Sequence, residues 1–254
     1  MTPPEFRGLH LAESETTRIG GARIELTRAD NETRLGVCYQ QIPVRVMPPF
    51  TLENEPASLL YLINLTAGLL DGDGHLFELT ARPGTRAVVT GQSATRIHPA
   101  LGRYATQQWS VEVESDACLV VLPGPAIPFR GSRYYQRGRV ELASNSRLIW
   151  GDVWLPGRYD RGELSERFQF DQIVQDFEVR RAGRLAYRDR FQWSGPWAPK
   201  RPIGTSAEPW RLPACSSPGR FRKRFPRHIP ATFAQSSGST PENAACGGAV
   251  APLR

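Results

Sequence analysis

The 254-residue sequence has few of the residues that usually anchor metal or disulfide frameworks, with four cysteines, four histidines and two methionines. Cys38, Cys118, Cys215 and Cys246 are far apart and form no CxxC pair, so neither a structural zinc site nor a disulfide scaffold is predicted. No apolar run approaches the roughly 18 residues that a membrane-spanning helix needs. Residues 1–10 contain no basic cluster followed by an apolar run. We therefore expect a protein of the reducing cytoplasm, without a membrane partner.

Lysine is almost absent, and the positive charge is confined to one end of the chain. The formal net charge is +7, yet residues 1–199 hold as many acidic as basic side chains. Residues 200–254 hold nine basic residues against Glu208 and Glu242, and therefore carry the whole excess. A neutral body gives no argument for a polyanion partner, so we expect no nucleic-acid binding by residues 1–199. A nucleic-acid binder with a basic tail is the least favoured of the functional alternatives.

Helical periodicity is also scarce, whereas strand-like runs are frequent before residue 195. Trp109, Val111 and Val113 alternate with polar residues, which is the pattern of a half-buried strand. Short turns separate runs of this kind and predict an all-β, helix-poor, mainly antiparallel architecture, with a hairpin turn at Ser115-Asp116. The further runs are Ala22–Arg28, Leu59–Leu65, His75–Thr80, Arg86–Thr90, Ala117–Leu122, Arg139–Ala143, Leu148–Trp154, Arg167–Phe170, Ile173–Arg180 and Leu185–Phe191.

The composition changes near residue 200. Prolines recur through residues 200–254, and the run Ser236–Pro241 is typical of disorder. We therefore divide the chain into a β domain over 1–199 and a disordered tail over 200–254. Because arginine-rich, proline-rich sequence arises when a GC-rich gene is read in a shifted frame, we hypothesise an aberrant C-terminus. A genuine basic tail is the alternative.

Common catalytic motifs are missing. The sequence has no Walker A loop, no HExxH, no GxSxG and no GxGxxG that opens a helix, so we expect no bound nucleotide and no enzymatic activity. A Cys–His dyad involving Cys38 or Cys118 has little to favour it. The alternative is an all-β hydrolase or isomerase, which requires a cysteine, a histidine and an acid to converge in a pocket.

Three segments could carry chemistry. Asp71-Gly72-Asp73-Gly74-His75 suits a hairpin turn between Leu59–Leu65 and His75–Thr80, or a site where carboxylates and an imidazole meet a divalent cation. The segment 90–98, which includes Ser93, suits a surface loop or a strand that turns hydroxyls towards a polar cavity. The segment 157–163 suits a solvated loop or a specified loop that presents Glu163.

Six short segments form an ordered set of motifs: Gln41–Val46, Ala67–Asp73, Pro83–Ala87, Thr90–Ile97, Leu122–Phe129 and Gly157-Arg158 with Gly162-Glu163. Taken in order, these motifs resemble the urease accessory protein UreD family, called UreH in some organisms. The departures are Ala67 in place of a glycine, Arg96 in place of a lysine and His98 where an aromatic residue is usual. The resemblance fades near Trp197.

The resemblance implies a nickel-urease maturation factor with an open, layered or β-helix-like, helix-poor fold. Such a protein would bind UreF, and through it UreG, would dock on the urease apoprotein and would pass nickel on, through an internal polar channel. Because a relay must release its cargo, sparse oxygen and imidazole ligands suit it better than a closed cage. Of the candidates, Asp73 and Glu163 lie in matching motifs and the others are chosen on chemistry. The candidate path residues are Asp71, Asp73, His75, Ser93, Asp152 and Glu163.

Overall fold

Three stacked sheets make up the part of the chain that the computed structural model describes, which is residues 6, 9, 11, 18–51, 57–158 and 166–197. Within these residues no helix is long and apolar enough to cross a membrane. The described residues form sixteen strands, which are β1 Ile19–Ala29, β2 Glu32–Gln41, β3 Val44–Val46, β4 Phe50–Thr51, β5 Ser58–Asn64, β6 Gly74–Ala81, β7 Arg86–Gly91, β8 Thr95–Ile97, β9 Ala105–Val113, β10 Cys118–Leu122, β11 Pro125–Pro128, β12 Arg133–Leu142, β13 Arg147–Trp150, β14 Val153–Trp154, β15 Gln172–Arg181 and β16 Arg184–Ser194.

The chain winds as a three-sided β-helix. Sheet A has the order β16-β15-β12-β9-β6-β1-β2, sheet B the order β13-β10-β7-β5-β3, and sheet C the order β14-β11-β8. Successive coils therefore place β6, β9 and β12 in sheet A, then β7, β10 and β13 in sheet B, and then β8, β11 and β14 in sheet C. Gly74 aligns with Thr106, and Thr106 with Tyr135, so one coil takes roughly 30 residues, within the range of solenoid repeats.

The interior of the solenoid is apolar along most of its length. Alternate residues of sheet A face residues of sheet B, and their side chains form one large buried cluster that includes Leu79, Val89, Val111 and Leu119. A second, aromatic-rich cluster lies beside sheet C and includes Tyr134 and Phe170. Burial of alternating side chains is what stabilises a sheet against its neighbours, at about 25 cal/mol per Å² of apolar area.

The all-β, helix-poor, layered and β-helix-like prediction is confirmed. Its antiparallel component is wrong, because every pairing between successive coils is parallel. Antiparallel pairs among the described strands join β1 to β2, β15 to β16, and β3 and β4 to β5. Alternation of polar and apolar residues has the same period in both arrangements, so it could not separate them.

The predicted hairpins are also wrong, for a reason that is visible at the corners. Ser115-Asp116 joins β9 of sheet A to β10 of sheet B, so the chain turns a corner instead of reversing. Corresponding turns recur in three coils, with hydrogen bonds from Thr85 N to Arg82 O (3.2 Å), from Ala117 N to Glu114 O (3.1 Å) and from Ser146 N to Ala143 O (3.3 Å). Likewise the Asp71–Gly74 turn leads from Leu69, which bridges Ile97 of sheet C, to β6 of sheet A, so it is also a corner.

Two further predictions concern particular segments. Arg167–Phe170 contains a turn instead of the predicted strand. Residues 198–254 lie outside the described residues, so the division of the chain near residue 200, and the disordered or aberrant tail, stay predictions.

Candidate functional site

A row of buried polar side chains crosses sheet A on its inner side. His75, Gln107, Gln136 and Gln175 occupy adjacent strands in register with one another. Their side chains are almost wholly buried, between 3% and 7% exposed. A buried polar side chain is costly unless it is hydrogen-bonded, so three amides and an imidazole in one row require polar partners inside the solenoid. We call these four residues the polar ladder.

Asp152 supplies those partners at one end of the polar ladder. It follows β13 and accepts hydrogen bonds from Gln136 Nε2 (2.9 Å), Gln175 Nε2 (2.9 Å) and Trp150 Nε1 (2.8 Å). Tyr134 donates to Gln107 Oε1 at 3.2 Å, and its pKa is raised well above its usual value, first by burial and then by the negative charge of Asp152. The phenol therefore stays protonated, and the network carries a single carboxylate.

A cavity lies at the other end of the polar ladder. His75 and Gln107 line it together with Ser93, Thr95 and Trp109, and its volume of about 50 Å³ has room for one or two waters or a small ion. Trp109 Nε1 is buried and has no hydrogen-bond partner in the described part of the chain. A residue that lines a polar cavity and has an unpaired buried donor favours a hydrogen-bonding guest nearby.

Burial sets the protonation state of His75. Its ring is completely enclosed, and the loss of hydration lowers the pKa from 6.5 to about 4. The ring of Phe77 packs edge-on against it at 6.2 Å. At neutral pH the imidazole is therefore uncharged and keeps a nitrogen lone pair, which is the form that binds divalent transition metals.

Asp71 and Asp73 do not reach this cavity, and both stabilise their loop. Asp71 Oδ1 accepts hydrogen bonds from Leu101 N (3.0 Å) and Arg103 N (2.8 Å). Asp73 Oδ2 accepts one from Leu70 N at 2.9 Å. Their carboxylates are engaged by backbone amides, so the turn interpretation of this acidic segment describes their contacts. Of its residues, only His75 contributes to the polar interior.

The structure thus brings three of the six candidate residues to one network. His75 and Ser93 line the cavity, with Ser93 at its exposed margin, and Asp152 binds the far end of the polar ladder. Glu163 lies outside the described residues. Within the described ranges no three His, Cys, Asp or Glu side chains come together as a metal cluster. The candidate metal ligands are instead spaced singly along the interior.

Sequence reasoning missed the three glutamines, although a repeat signal was present. His75-x-Phe77, Gln107-x-Trp109, Gln136-x-Gly138 and Gln175-x-Phe177 recur at similar intervals and share one register. A search for internal repeats would have aligned these segments and exposed the column. Reading each strand alone gave every glutamine the appearance of an ordinary polar residue.

The alternative catalytic arrangement is not found where the described residues can test it. Cys38 lies exposed on the edge strand β2, and Cys118 lies on the outer side of sheet B, whereas His75 faces the interior from sheet A. His98 packs against Phe129 and contacts the carbonyl of Ala67 at 3.3 Å. These cysteines and histidines therefore do not converge on one pocket.

The fold and the interior together define a helix-poor β-solenoid scaffold that contains the polar ladder in its core. The family model described as UreD urease accessory protein matches residues 18–214. The chain therefore belongs to the UreD urease accessory protein family.

Several curated proteins of this name are similar to the chain. The UreD of Sporosarcina pasteurii is 29% identical over 159 residues, which cover 61% of this chain and 61% of that protein. The UreD of Anaeromyxobacter sp. is 31% identical over 177 residues, covering 69% and 57%. The UreD of Natronomonas pharaonis is 36% identical over 163 residues, covering 63% and 53%. The chain thus spans less than two thirds of the length of these relatives.

Proposed function

We propose that this chain is a non-catalytic maturation factor for urease that conveys nickel through its interior. The observation that carries the proposal is the polar ladder, which leads from the cavity at His75 to Asp152 through an otherwise apolar solenoid. Family membership supports the link to urease. In the proposed role the chain binds UreF, reaches UreG through it, and docks on the urease apoprotein.

The chemistry of the polar ladder suits a relay better than a storage site. A neutral imidazole is a good ligand for nickel, and amide and hydroxyl oxygens are weak ones. His75 would be the first inner ligand, and the glutamine carbonyl groups would replace part of the hydration shell as the ion moves. Asp152 would attract the cation from the far end, in exchange for its hydrogen bonds to Gln136 and Gln175. Weak, sequential ligands let the cargo leave.

Urease activation tests this role directly. The chain is co-expressed with urease and the other accessory proteins, and urease activity and the nickel content of the purified urease are measured. His75→Gln keeps the size and polarity of the polar ladder but removes the imidazole. We expect it to lower both readouts at least about fivefold at limiting nickel, because the strongest interior ligand is gone. Added nickel should restore part of the loss.

His98→Gln is the matched control, because His98 is partly exposed and lies outside the polar ladder. It should activate urease as the parent chain does. The proposed relay is wrong if His75→Gln and His98→Gln load nickel equally well while both variants remain folded by circular dichroism. The maturation role itself is wrong if removal of the whole chain leaves urease activation unchanged.

A further inference from the structure

The outer face of sheet B carries a continuous apolar stripe. Phe50, Leu59, Val88, Val120 and Ile149 stand in register across five strands, β4, β5, β7, β10 and β13. Phe50 and Ile149, at the two ends, are 49% and 60% exposed. We call these five residues the apolar stripe. Tyr61 and Leu122 widen it on one side, and Tyr61 packs edge-on against Phe50 at 6.1 Å.

Arginines border the apolar stripe, and the described strands of this face carry no carboxylate. Arg86, Cys118 and Arg147 form the neighbouring row, with Cys118 aligned to both arginines. Arg45 lies on the opposite margin, opposite Ile63. All three arginines are exposed, and no described carboxylate forms an ion pair with them.

This face differs sharply from the outer face of sheet A. There a row of charged residues alternates in sign on either side of Ser110 and forms ion pairs within the row. Its charged members are Arg23, Glu78, Arg139, Glu178 and Arg188. A surface whose charged side chains form ion pairs with one another is typical of a solvent-exposed face. Exposed apolar patches, in contrast, mark interaction sites.

We propose that the outer face of sheet B is the docking surface for a partner protein that presents an apolar ridge flanked by carboxylates. The ridge would cover the apolar stripe, and the carboxylates would pair with Arg45, Arg86 and Arg147. Arginine at the rim of an apolar patch gives both an ion pair and a planar surface for packing. This inference rests on the proposed function, which supplies UreF and the urease apoprotein as the proteins to try.

Charge argues against two occupants from this chain itself, which are its C-terminal segment 200–254 and a second copy. Residues 200–254 hold nine basic and two acidic side chains, so their overall charge opposes the arginine margin. A second copy docked through the same face would bring two arginine margins and no described carboxylates together. A different protein with an acidic surface avoids both charge repulsions, since opposite charges across an interface favour association.

Binding measurements with purified UreF and purified urease apoprotein, each tried alone on the full chain, test the proposal. Ile149→Asp places a carboxylate on the apolar stripe, and Arg86→Glu/Arg147→Glu reverses its margin. We expect each change to raise the Kd for one of the two proteins at least tenfold. The matched controls are Leu185→Asp and Arg184→Glu, at exposed positions of β16, and we expect them to change the Kd by less than twofold.

Cys118 provides an independent readout because it lies on this face between two of the arginines. Alkylation by iodoacetamide is followed by peptide mass spectrometry, with Cys38 on β2 as the internal reference. The bound partner should slow alkylation of Cys118 at least fivefold and leave Cys38 unchanged.

The outcomes separate this inference from the proposed function. If a partner binds all variants equally and leaves Cys118 reactive, the docking surface is wrong and the proposed function stands. If the parent chain binds neither protein, both proposals fail.

Two other outcomes would identify a different occupant of the face. If Ile149→Asp turns a dimer into a monomer in sedimentation, a second copy occupies the face. If Ile149→Asp speeds alkylation of Cys118 in the chain alone, the chain's own tail covers it. Either of these last two results contradicts the proposal that a different protein docks on this face.

Discussion

His75 is the one ionisable member of a row that otherwise consists of glutamines. Burial lowers its pKa from 6.5 to about 4, so the folded protein holds it neutral where the unfolded chain would protonate it. Gln107 neighbours it in register, and Tyr134 holds that glutamine through its hydroxyl group. The environment therefore keeps the imidazole lone pair free at neutral pH, at the expense of stability in acid.

This arrangement predicts a specific loss of stability at low pH. Between pH 6.5 and about pH 4 the unfolded state binds a proton at His75 that the folded state rejects, so the free energy of unfolding falls as pH falls. The difference between the parent chain and His75→Gln should shrink or reverse by about 2 kcal/mol between about pH 7.5 and about pH 5. Urea unfolding followed by tryptophan fluorescence measures it.

Other groups titrate in the same range, but they are common to both chains and cancel in the difference. Parallel stability curves for the parent chain and His75→Gln would contradict the prediction and place His75 in contact with water.

At the residue scale the sequence identified part of the site. His75, Ser93 and Asp152 could be chosen because imidazole, hydroxyl and carboxylate groups are recognisable metal ligands. Gln136 and Gln175 could not, because their importance comes from stacking in register across sheet A and not from their chemistry. Asp71 is a candidate on the same chemical grounds and Asp73 through its family motif, and both carboxylates accept hydrogen bonds from backbone amides in the structure.

At the scale of the element, strands could be predicted but their partners could not. The run 117–122 and the strand around Trp109 lie close to β10 and β9, because alternation and turn residues are local signals. Whether the turn at Ser115-Asp116 reverses the chain or turns a corner depends on the next coil. Gly84 N donates to Ser115 O at 3.0 Å, so one corner stabilises the following one. That contact joins residues of different coils, so no signal of it is present in the local sequence of either turn.

Gly138 of β12 shows how closely the coils are fitted. A Cβ atom at this position would lie 2.2 Å from Phe177 Cδ2 of the neighbouring strand. The ring of Trp150 bridges this region, 4.8 Å from Phe177 and 5.5 Å from Trp109. Gly138→Ala should therefore lower the free energy of unfolding by about 1–3 kcal/mol, because packed rings and backbone must move. Urea unfolding of the purified variant gives the value.

Gly151→Ala is the matched control, since its Cβ would meet only the end of the Leu122 side chain, at 3.0 Å. It should cost less than about 1 kcal/mol. In a double-mutant cycle with Phe177→Leu, the Gly138→Ala penalty should shrink by about 1 kcal/mol or more. An unchanged penalty would mean that the cost of the added methyl group does not come from its contact with the Phe177 ring.

At the scale of the whole molecule, a solenoid is stabilised by contacts between neighbouring coils. Strand β9 is paired on both sides, to β6 and β12, whereas β16 is paired to β15 alone. Most side chains of β16 are exposed, and it has no coil stacked beyond it among the described strands. Its stability therefore depends on one interface, while that of β9 depends on two and on the buried core.

Hydrogen exchange should record this gradient along the solenoid. The amides of β16 that donate to β15 should exchange at least about tenfold faster than those of β9, which corresponds to an opening free energy lower by about 1.4 kcal/mol. Strand β2, the opposite edge of sheet A, should behave like β16 because it pairs with β1 alone. Mass spectrometry of peptic fragments resolves the three strands. Equal protection in β16 and β9 would show that all coils unfold as one cooperative unit, against the nearest-neighbour argument.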